Sequence, residues 1–236
     1  APASRATSAV WSVQLSAITI TSISSPGYSC RRMLSMRLAI TFSSLRAAIS
    51  AANRFFRALS GYGRFLWKPE IPITASFLFG SRELYDWVHL NRRIRMLRTE
   101  KTNDPGQISR QGRMTSVNAA LQVDLLDQAN ASRVKGQIYS GFGGSTDFIV
   151  GALHSLGGQS FIALRSWHPK AQVSTIVPRL DEPVTSFQHS AVATENGLAE
   201  VFGRSQAEQA RNIIDNAAHP DVRDELREAG TKLGLV

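Results

Sequence analysis

A glycine-rich stretch, SGFGGSTDF at residues 140–148, carries the clearest chemical signal of this sequence. Three glycines, Gly141, Gly143 and Gly144, lie within four residues, after a short apolar run at 137–139 and before a helix-like run at 147–155. A glycine turn between a strand and a helix lets backbone N–H groups approach a bound group closely. Such groups can cradle a phosphate or stabilise a negative oxygen that forms during a reaction. The alternative is a turn whose glycines serve packing alone.

The elements that would position this turn alternate between strands and helices, which predicts an α/β domain. The run at residues 160–164 is continuously apolar, as is typical of a strand buried on both faces of a mostly parallel sheet. The pattern predicts strands at residues 76–79, 94–97, 113–118, 121–126, 160–164, 173–177, 184–187 and 190–193, helices at 81–90, 147–155, 206–217 and 220–229, and a polar turn at 127–132.

Further motifs flank the glycine stretch in a fixed order. They are FGSRELYD at 79–86, TNDP at 102–105, VNAALQVDL at 117–125, STIVP at 174–178, VATENGLA at 192–199 and AHPDVRDEL at 218–226. Together with SGFGGSTDF they resemble the C-terminal domain of the acetyl-CoA hydrolase/transferase family, over about residues 76 to 230. The resemblance implies a mostly parallel sheet flanked by helices, of the NagB/RpiA/CoA-transferase type.

The resemblance also implies a chemistry. In that family a glutamate attacks the thioester carbonyl of an acyl-CoA, and a glutamyl-CoA thioester follows. The expected partners are acyl-CoA and short carboxylic acids, with coenzyme A as a substrate and no tightly bound cofactor. A homodimer is one candidate assembly.

The resemblance assigns roles to six residues of this sequence. It implies catalytic roles for Asn118, whose amide would help to stabilise the reacting carbonyl, and for Glu195 in the TENG motif. It implies that Gly141, Gly143, Gly144 and Lys170 contact CoA. The alternatives are a strand-end asparagine bonded to its own turn, a solvated turn carboxylate, packing glycines and a surface lysine.

One departure from the family concerns the nucleophile. The family's attacking glutamate lies upstream of the GSRELY motif, whereas no carboxylate precedes Glu70 in this sequence. Glu70 lies in the context WKPEI, which does not match the family pattern. We therefore expect the nucleophile to be missing and the chain by itself to be inactive or severely impaired.

The net charge of +9 is confined to the first segment. Residues 1–69 hold nine Lys or Arg and no Asp or Glu, whereas residues 70–236 hold 18 basic and 18 acidic residues. Residues 1–75 are therefore predicted to be an atypical Ser/Arg-rich segment, and residues 76–236 the enzyme-like domain. A transit peptide, a basic arm and an upstream region read out of frame are three interpretations of the segment. The abrupt start of the resemblance near Ser76 favours the third.

Composition narrows the classes of protein to which this chain could belong. The single cysteine, Cys30, suits a reducing compartment, and no apolar run reaches the roughly 18 residues that a membrane span needs. The histidines are at least 14 residues apart, so no metal site is expected. We expect a cytoplasmic protein, or alternatively a mitochondrial one, without nucleic-acid or membrane partners. The competing hypothesis is a non-catalytic α/β module with a basic, nucleic-acid-binding N-terminal arm.

Overall fold

The computed structural model describes residues 17–20, 37–41, 73–76, 82–92, 94–184 and 188–236. Its strands are β1 (Ala17–Ile20), β2 (Arg37–Thr41), β3 (Ile73–Ala75), β4 (Ile94–Met96), β5 (Met114–Ala119), β6 (Gln122–Asp124), β7 (Ala129–Asn130), β8 (Arg133–Val134), β9 (Gln137–Ile138), β10 (Gln159–Ala163), β11 (Trp167–His168), β12 (Val173–Ser174), β13 (Ile176–Val177), β14 (Ala191–Ala193) and β15 (Leu198–Glu200). Its helices are α1 (Arg82–Val88), α2 (Thr99–Thr102), α3 (Pro105–Ser109), α4 (Ser145–Leu153), α5 (Gln206–Asn212) and α6 (Arg223–Lys232), with a π-helical turn at Ile213–Ala217 and a 3-10 turn at Pro220–Val222.

Eight of these strands form one mixed sheet in the order β15-β14-β10-β5-β2-β1-β3-β4. The neighbouring strands β14, β10, β5 and β2 are all parallel, and β3 pairs with β4 in parallel. The pairs β15–β14, β2–β1 and β1–β3 are antiparallel. The parallel centre with helices packed against it confirms the predicted α/β class.

The unit β5–α4–β10 sets the polarity of the candidate site. The hydroxyl of Ser155, just beyond the end of α4, accepts a hydrogen bond from the backbone N–H of Met114 at the start of β5 (3.0 Å). The backbone N–H of Gly158 bonds the carbonyl of Ser155, and β10 begins one residue later. The last turn of α4 therefore lies at the amino ends of β5 and β10, and its first turn points towards their carboxyl ends.

The strands β5, β10 and β14 are buried on both faces, as the apolar run at residues 160–164 predicted. Along β10, Ile162 joins the larger core, which also contains Ile149 of α4 and Ile213 of the π-helical turn. Its neighbours Phe161 and Ala163 belong to a second cluster with residues of β5 and β14 on the other face. A strand that buries both faces carries no alternation of polar residues.

Several predicted elements need correction. The predicted turn at 127–132 contains the short strand β7, and the predicted strand at 173–177 divides into β12 and β13, which lie in different small sheets. The division occurs at Thr175, whose hydroxyl donates to the carbonyl of Arg165 and whose N–H donates to that of Ser166. The strand β15 was not predicted, and the long helix predicted at 206–217 ends in a π-helical turn.

Two predicted strands fall partly outside the described residues. The strand β3 lies just before the predicted strand at 76–79, of which residues 77–79 are not described, and residues 185–187 of the predicted strand at 184–187 are not described either. Three sheet strands, β1, β2 and β3, fall within residues 1–75. The other residues of that segment lie outside the described part, so its interpretation stays a prediction.

Candidate functional site

The glycine stretch forms a loop that leads directly into α4. Gly144 is the N-cap residue of that helix, and Gly143 has a φ of +64°, in the left-handed region that favours glycine. The loop is largely exposed at Gly141 and Gly143. Its position at the helix N-terminus gives it backbone N–H donors and a favourable field for negative charge.

The strand before this loop differs from expectation. The apolar run at 137–139 contributes β9, which pairs only with β8 in a two-stranded hairpin and whose residues are exposed. The loop therefore does not follow a strand of the main sheet, as a βα turn of an α/β domain would. It is held instead by the helix that it precedes and by contacts from an earlier motif.

That earlier motif is TNDP at residues 102–105. Asn103 lies so close to Gly144 that a Cβ atom there would come within 2.2 Å of the Asn103 Nδ2 atom. The hydroxyl of Thr102 donates to Asn103 Oδ1 (2.6 Å), and Asn103 Nδ2 donates to Asp147 Oδ2 in the first turn of α4 (3.5 Å). Burial raises the pKa of the Asp147 carboxyl above its usual value, and the bond from Asn103 partly offsets that effect.

Asn118 lies on the buried face of β5 and is only 2% exposed. Its Nδ2 donates to the hydroxyl of Ser116 (3.1 Å), which shares a hydrogen bond with the hydroxyl of Ser160 on β10 (3.0 Å). Asn118 thus bonds to its own strand, two residues back, rather than to a turn. Within the described part of the chain, no hydrogen bond joins it to the glycine loop.

Glu195 is bound by two donors from one residue. The Ser166 hydroxyl donates to Glu195 Oε1 (2.7 Å), and the Ser166 backbone N–H donates to Oε2 (2.9 Å). Burial acts to raise the pKa of Glu195, but these hydrogen bonds and the charge of His219 outweigh it, so that the pKa lies below its usual value. Glu195 is therefore a half-buried carboxylate with both oxygens bound by Ser166.

The two residues come from the carboxyl ends of neighbouring parallel strands. Ser166 follows β10 and Glu195 follows β14, and the N–H of Leu164 still bonds the carbonyl of Ala193 across the two strands. Because parallel strands end at the same edge of a sheet, residues 29 positions apart meet there. The first turn of α4 points to this same edge.

A short hairpin follows Ser166 in the chain. Its strands β11 and β12 pair antiparallel, and the ring of Trp167 lies 5.0 Å from that of His219, measured between centroids. Lys170 is exposed in the turn of the hairpin. Lys170 thus lies four residues after Ser166, in the hairpin that follows the Ser166–Glu195 pair.

Sequence reasoning did not assign a role to Ser166, Asn103 or Asp147. Asn103 and Asp147 lie within the motifs TNDP and SGFGGSTDF, so the sequence did offer a signal that these two residues belong to the site. Ser166 stood in a segment that departs from the family pattern, and it was found only from the contacts. Asp124, in the VNAALQVDL motif, is also fully buried, and it accepts hydrogen bonds from Leu126, Gln128 and Leu180.

The described residues show neither a metal site nor a membrane-spanning helix. They contain no group of three His, Cys, Asp or Glu side chains arranged to hold a metal ion. In the same part of the chain, no helix combines the length and apolar character needed to cross a membrane.

The relatives with curated names include CoA transferases and an acetyl-CoA hydrolase. The chain is 37% identical over 166 residues to the succinyl-CoA:cyclohexane-1-carboxylate CoA transferase of Geobacter metallireducens, covering 69% of this chain and 38% of that protein. It is 37% identical over 158 residues to the 4-hydroxybutyrate coenzyme A transferase of Clostridium kluyveri, covering 65% of this chain and 37% of that protein. This chain thus spans well under half the length of these relatives.

Solved structures give the same result. RipA from Yersinia pestis matches 70% of this chain and 38% of its own, with a TM-score of 0.64 and 38% identity. The 4-hydroxybutyrate CoA-transferase of Porphyromonas gingivalis matches 69% of this chain and 38% of its own, with a TM-score of 0.55 and 33% identity. A family model for the acetyl-CoA hydrolase/transferase C-terminal domain matches residues 80–230. The chain therefore belongs to the acetyl-CoA hydrolase/transferase family, as the order of its motifs predicted.

Proposed function

We propose that this chain forms the CoA-binding part of an acyl-CoA:carboxylate CoA-transferase or acetyl-CoA hydrolase site. One observation supports this most directly. The glycine loop at the start of α4 and the Ser166–Glu195 pair both lie towards the carboxyl edge of β5, β10 and β14. Ligands of open α/β sheets bind at that edge. Acyl-CoA and a short carboxylic acid are the proposed substrates, because the named relatives transfer CoA between such acids.

The proposed roles follow from the chemistry of a thioester. Attack on the acyl carbonyl makes its oxygen negative, and the backbone N–H groups of Gly143 and Gly144 would donate to that oxygen. Gly141 is the third glycine proposed to contact CoA. The second N–H of the Asn118 amide is the other proposed donor, since the first bonds Ser116. Lys170 is proposed to meet the phosphates of CoA from the exposed hairpin.

The acyl step itself needs a carboxylate nucleophile. In the proposed scheme a glutamate attacks the thioester carbonyl, forms an anhydride and releases CoA thiolate, which then attacks the glutamyl carbonyl and releases the acid. Residues 1–69 contain no carboxylate, so none precedes the GSRELY motif in the family's context. We therefore expect this chain to bind acyl-CoA and not to turn it over.

Calorimetric titration with acetyl-CoA tests the binding part of the proposal. G143A is expected to weaken binding at least about tenfold, because a side chain would disturb the left-handed loop and block the approach of the thioester. Gly203 is the matched control, since it shares the positive φ (+73°) but has open space around its Cβ position. Equal affinities for G143A and G203A, or no binding by the unmodified chain, would refute the proposal.

Trapping tests the catalytic part. Incubation with acyl-CoA and borohydride or hydroxylamine modifies an enzyme that forms a glutamyl-CoA thioester. We expect no adduct in this chain. An adduct mapped by mass spectrometry to any glutamate of the chain would show that the nucleophile is present after all.

A further inference from the structure

Ser166 makes two contacts that fix both oxygens of one carboxylate. Its side chain is fully buried, and its hydroxyl and backbone N–H reach the two different oxygens of Glu195. A single bond would leave the carboxylate free to rotate about its last torsion. Two bonds to different oxygens remove that freedom, because both must break before the group can turn.

The direction of the Ser166 hydroxyl is set by Asn196. Asn196 Nδ2 lies 2.9 Å from Ser166 Oγ and 3.1 Å from the carbonyl oxygen of Ala218. A carbonyl oxygen only accepts, so the Asn196 atom that faces Ala218 must be the amide nitrogen, which only donates. Ser166 Oγ therefore accepts from Asn196, and its own hydrogen must point elsewhere, towards Glu195.

Ser166 is itself held by its neighbours. Its backbone carbonyl accepts from the N–H of Thr175 (3.1 Å), and the adjacent Trp167 packs against His219. Hydrogen bonds to its backbone carbonyl and to its hydroxyl therefore hold Ser166 in place beside Glu195. An ionised carboxylate accepts both bonds more strongly than a protonated carboxyl does, because its oxygens carry the negative charge.

We propose that Ser166 is the positioning residue of Glu195, and that the chain of bonds from Asn196 through Ser166 holds this carboxylate in one orientation as an anion. Glu195 then acts as a fixed charge at the site and not as a proton donor. Only the use of that charge in CoA transfer rests on the proposed function. The positioning itself is a property of the folded chain and is measurable without any ligand.

NMR titration of the chain with ¹³C-labelled glutamate carboxyls tests the proposal, with the Glu195 signal assigned from its loss in E195Q. In S166A the Glu195 titration should move to higher pH, because one of its two donors is gone. In N196A it should also move up, by less, because the Ser166 hydrogen is no longer directed towards Glu195. Both substitutions remove side-chain atoms and add none, so they introduce no clash, and circular dichroism checks that the variants fold.

The matched control is S155A. Ser155 is also a buried serine whose hydroxyl makes two hydrogen bonds, to Met114 and Gln111, but at the opposite edge of the sheet. S155A should leave the Glu195 titration unchanged. A titration that is the same in S166A and in the unmodified chain overturns the proposal, as does an equal shift in S155A. If S166A does not fold, N196A decides: an unchanged Glu195 titration in N196A overturns the proposal. Because no CoA is added, these outcomes are independent of whether the chain binds it.

Discussion

Replacing Gly144 by alanine should separate the TNDP motif from the glycine loop. The new Cβ would lie 2.2 Å from Asn103 Nδ2 and 3.2 Å from Phe148 Cε2, whereas unstrained contacts are longer than about 3.4 Å. The Asn103 side chain can move more easily than the helix backbone. Its displacement would break the hydrogen bond that it accepts from Thr102 and the one that it donates to Asp147.

The expected loss of stability follows from these contacts. Two hydrogen bonds at about 0.5–1.5 kcal/mol each give about 1–3 kcal/mol. An alanine at the N-cap adds less than about 1 kcal/mol, because alanine caps a helix less well than glycine. In an N103A background the crowding and both bonds are already gone, so G144A should then cost only the cap contribution. The cycle therefore predicts a coupling energy of about 1–3 kcal/mol between the two residues, the contribution of the two hydrogen bonds.

Urea unfolding of the four proteins of this cycle measures the coupling. G141A is the control, since the nearest atom to its Cβ position is 3.9 Å away and no positive φ is involved. It should change the free energy of unfolding by less than about 0.5 kcal/mol. Additive effects of G144A and N103A, within about 0.3 kcal/mol, would refute the claim that Gly144 is required by the Asn103 contact.

Two further substitutions test other parts of the same domain. D124A removes the buried acceptor of four hydrogen bonds from Leu126, Gln128 and Leu180. It should lower the free energy of unfolding in urea by about 3–5 kcal/mol. The control D224A, at the exposed start of α6, should lower it by less than about 0.5 kcal/mol. The lowered pKa of Glu195 gives stability that is fully present above the pKa of an unfolded glutamate and is lost as the pH falls through the folded value. E195Q should therefore show a flatter acid-side decline of its urea midpoint than the unmodified chain, and parallel declines would contradict that sign.

Some elements could be predicted from sequence because their signals are local. The helix α4 and the strand β10 depend on apolar spacing and on flanking glycines, and both lie within two residues of their predicted bounds. The two-residue strand β7 could not be predicted with the same success, because a pairing that short has no period in its residues. The π-helical turn after α5 likewise leaves the 3.6-residue spacing nearly unchanged.

The features of the candidate site likewise include some with a local sequence signal and some without one. The order of the motifs determined the family, because each motif is a short run of residues that can be compared directly. The resemblance to that family also identified Asn118, Glu195 and the glycines as candidates. No local pattern indicated that Glu195 would be bound by Ser166, or that Asn103 would lie against Gly144.

Those two contacts are decided by tertiary structure alone, for one physical reason. A hydrogen bond needs atoms within about 3 Å, and such approach between residues 29 or 44 positions apart depends on where parallel strands end and how a helix packs. The sequence by itself determined that this chain has a glutamate, a glycine turn and the family's motifs. The packing of β10, β14 and α4 brought both oxygens of that glutamate against Ser166 and placed Asn103 of a motif far upstream against the glycine turn.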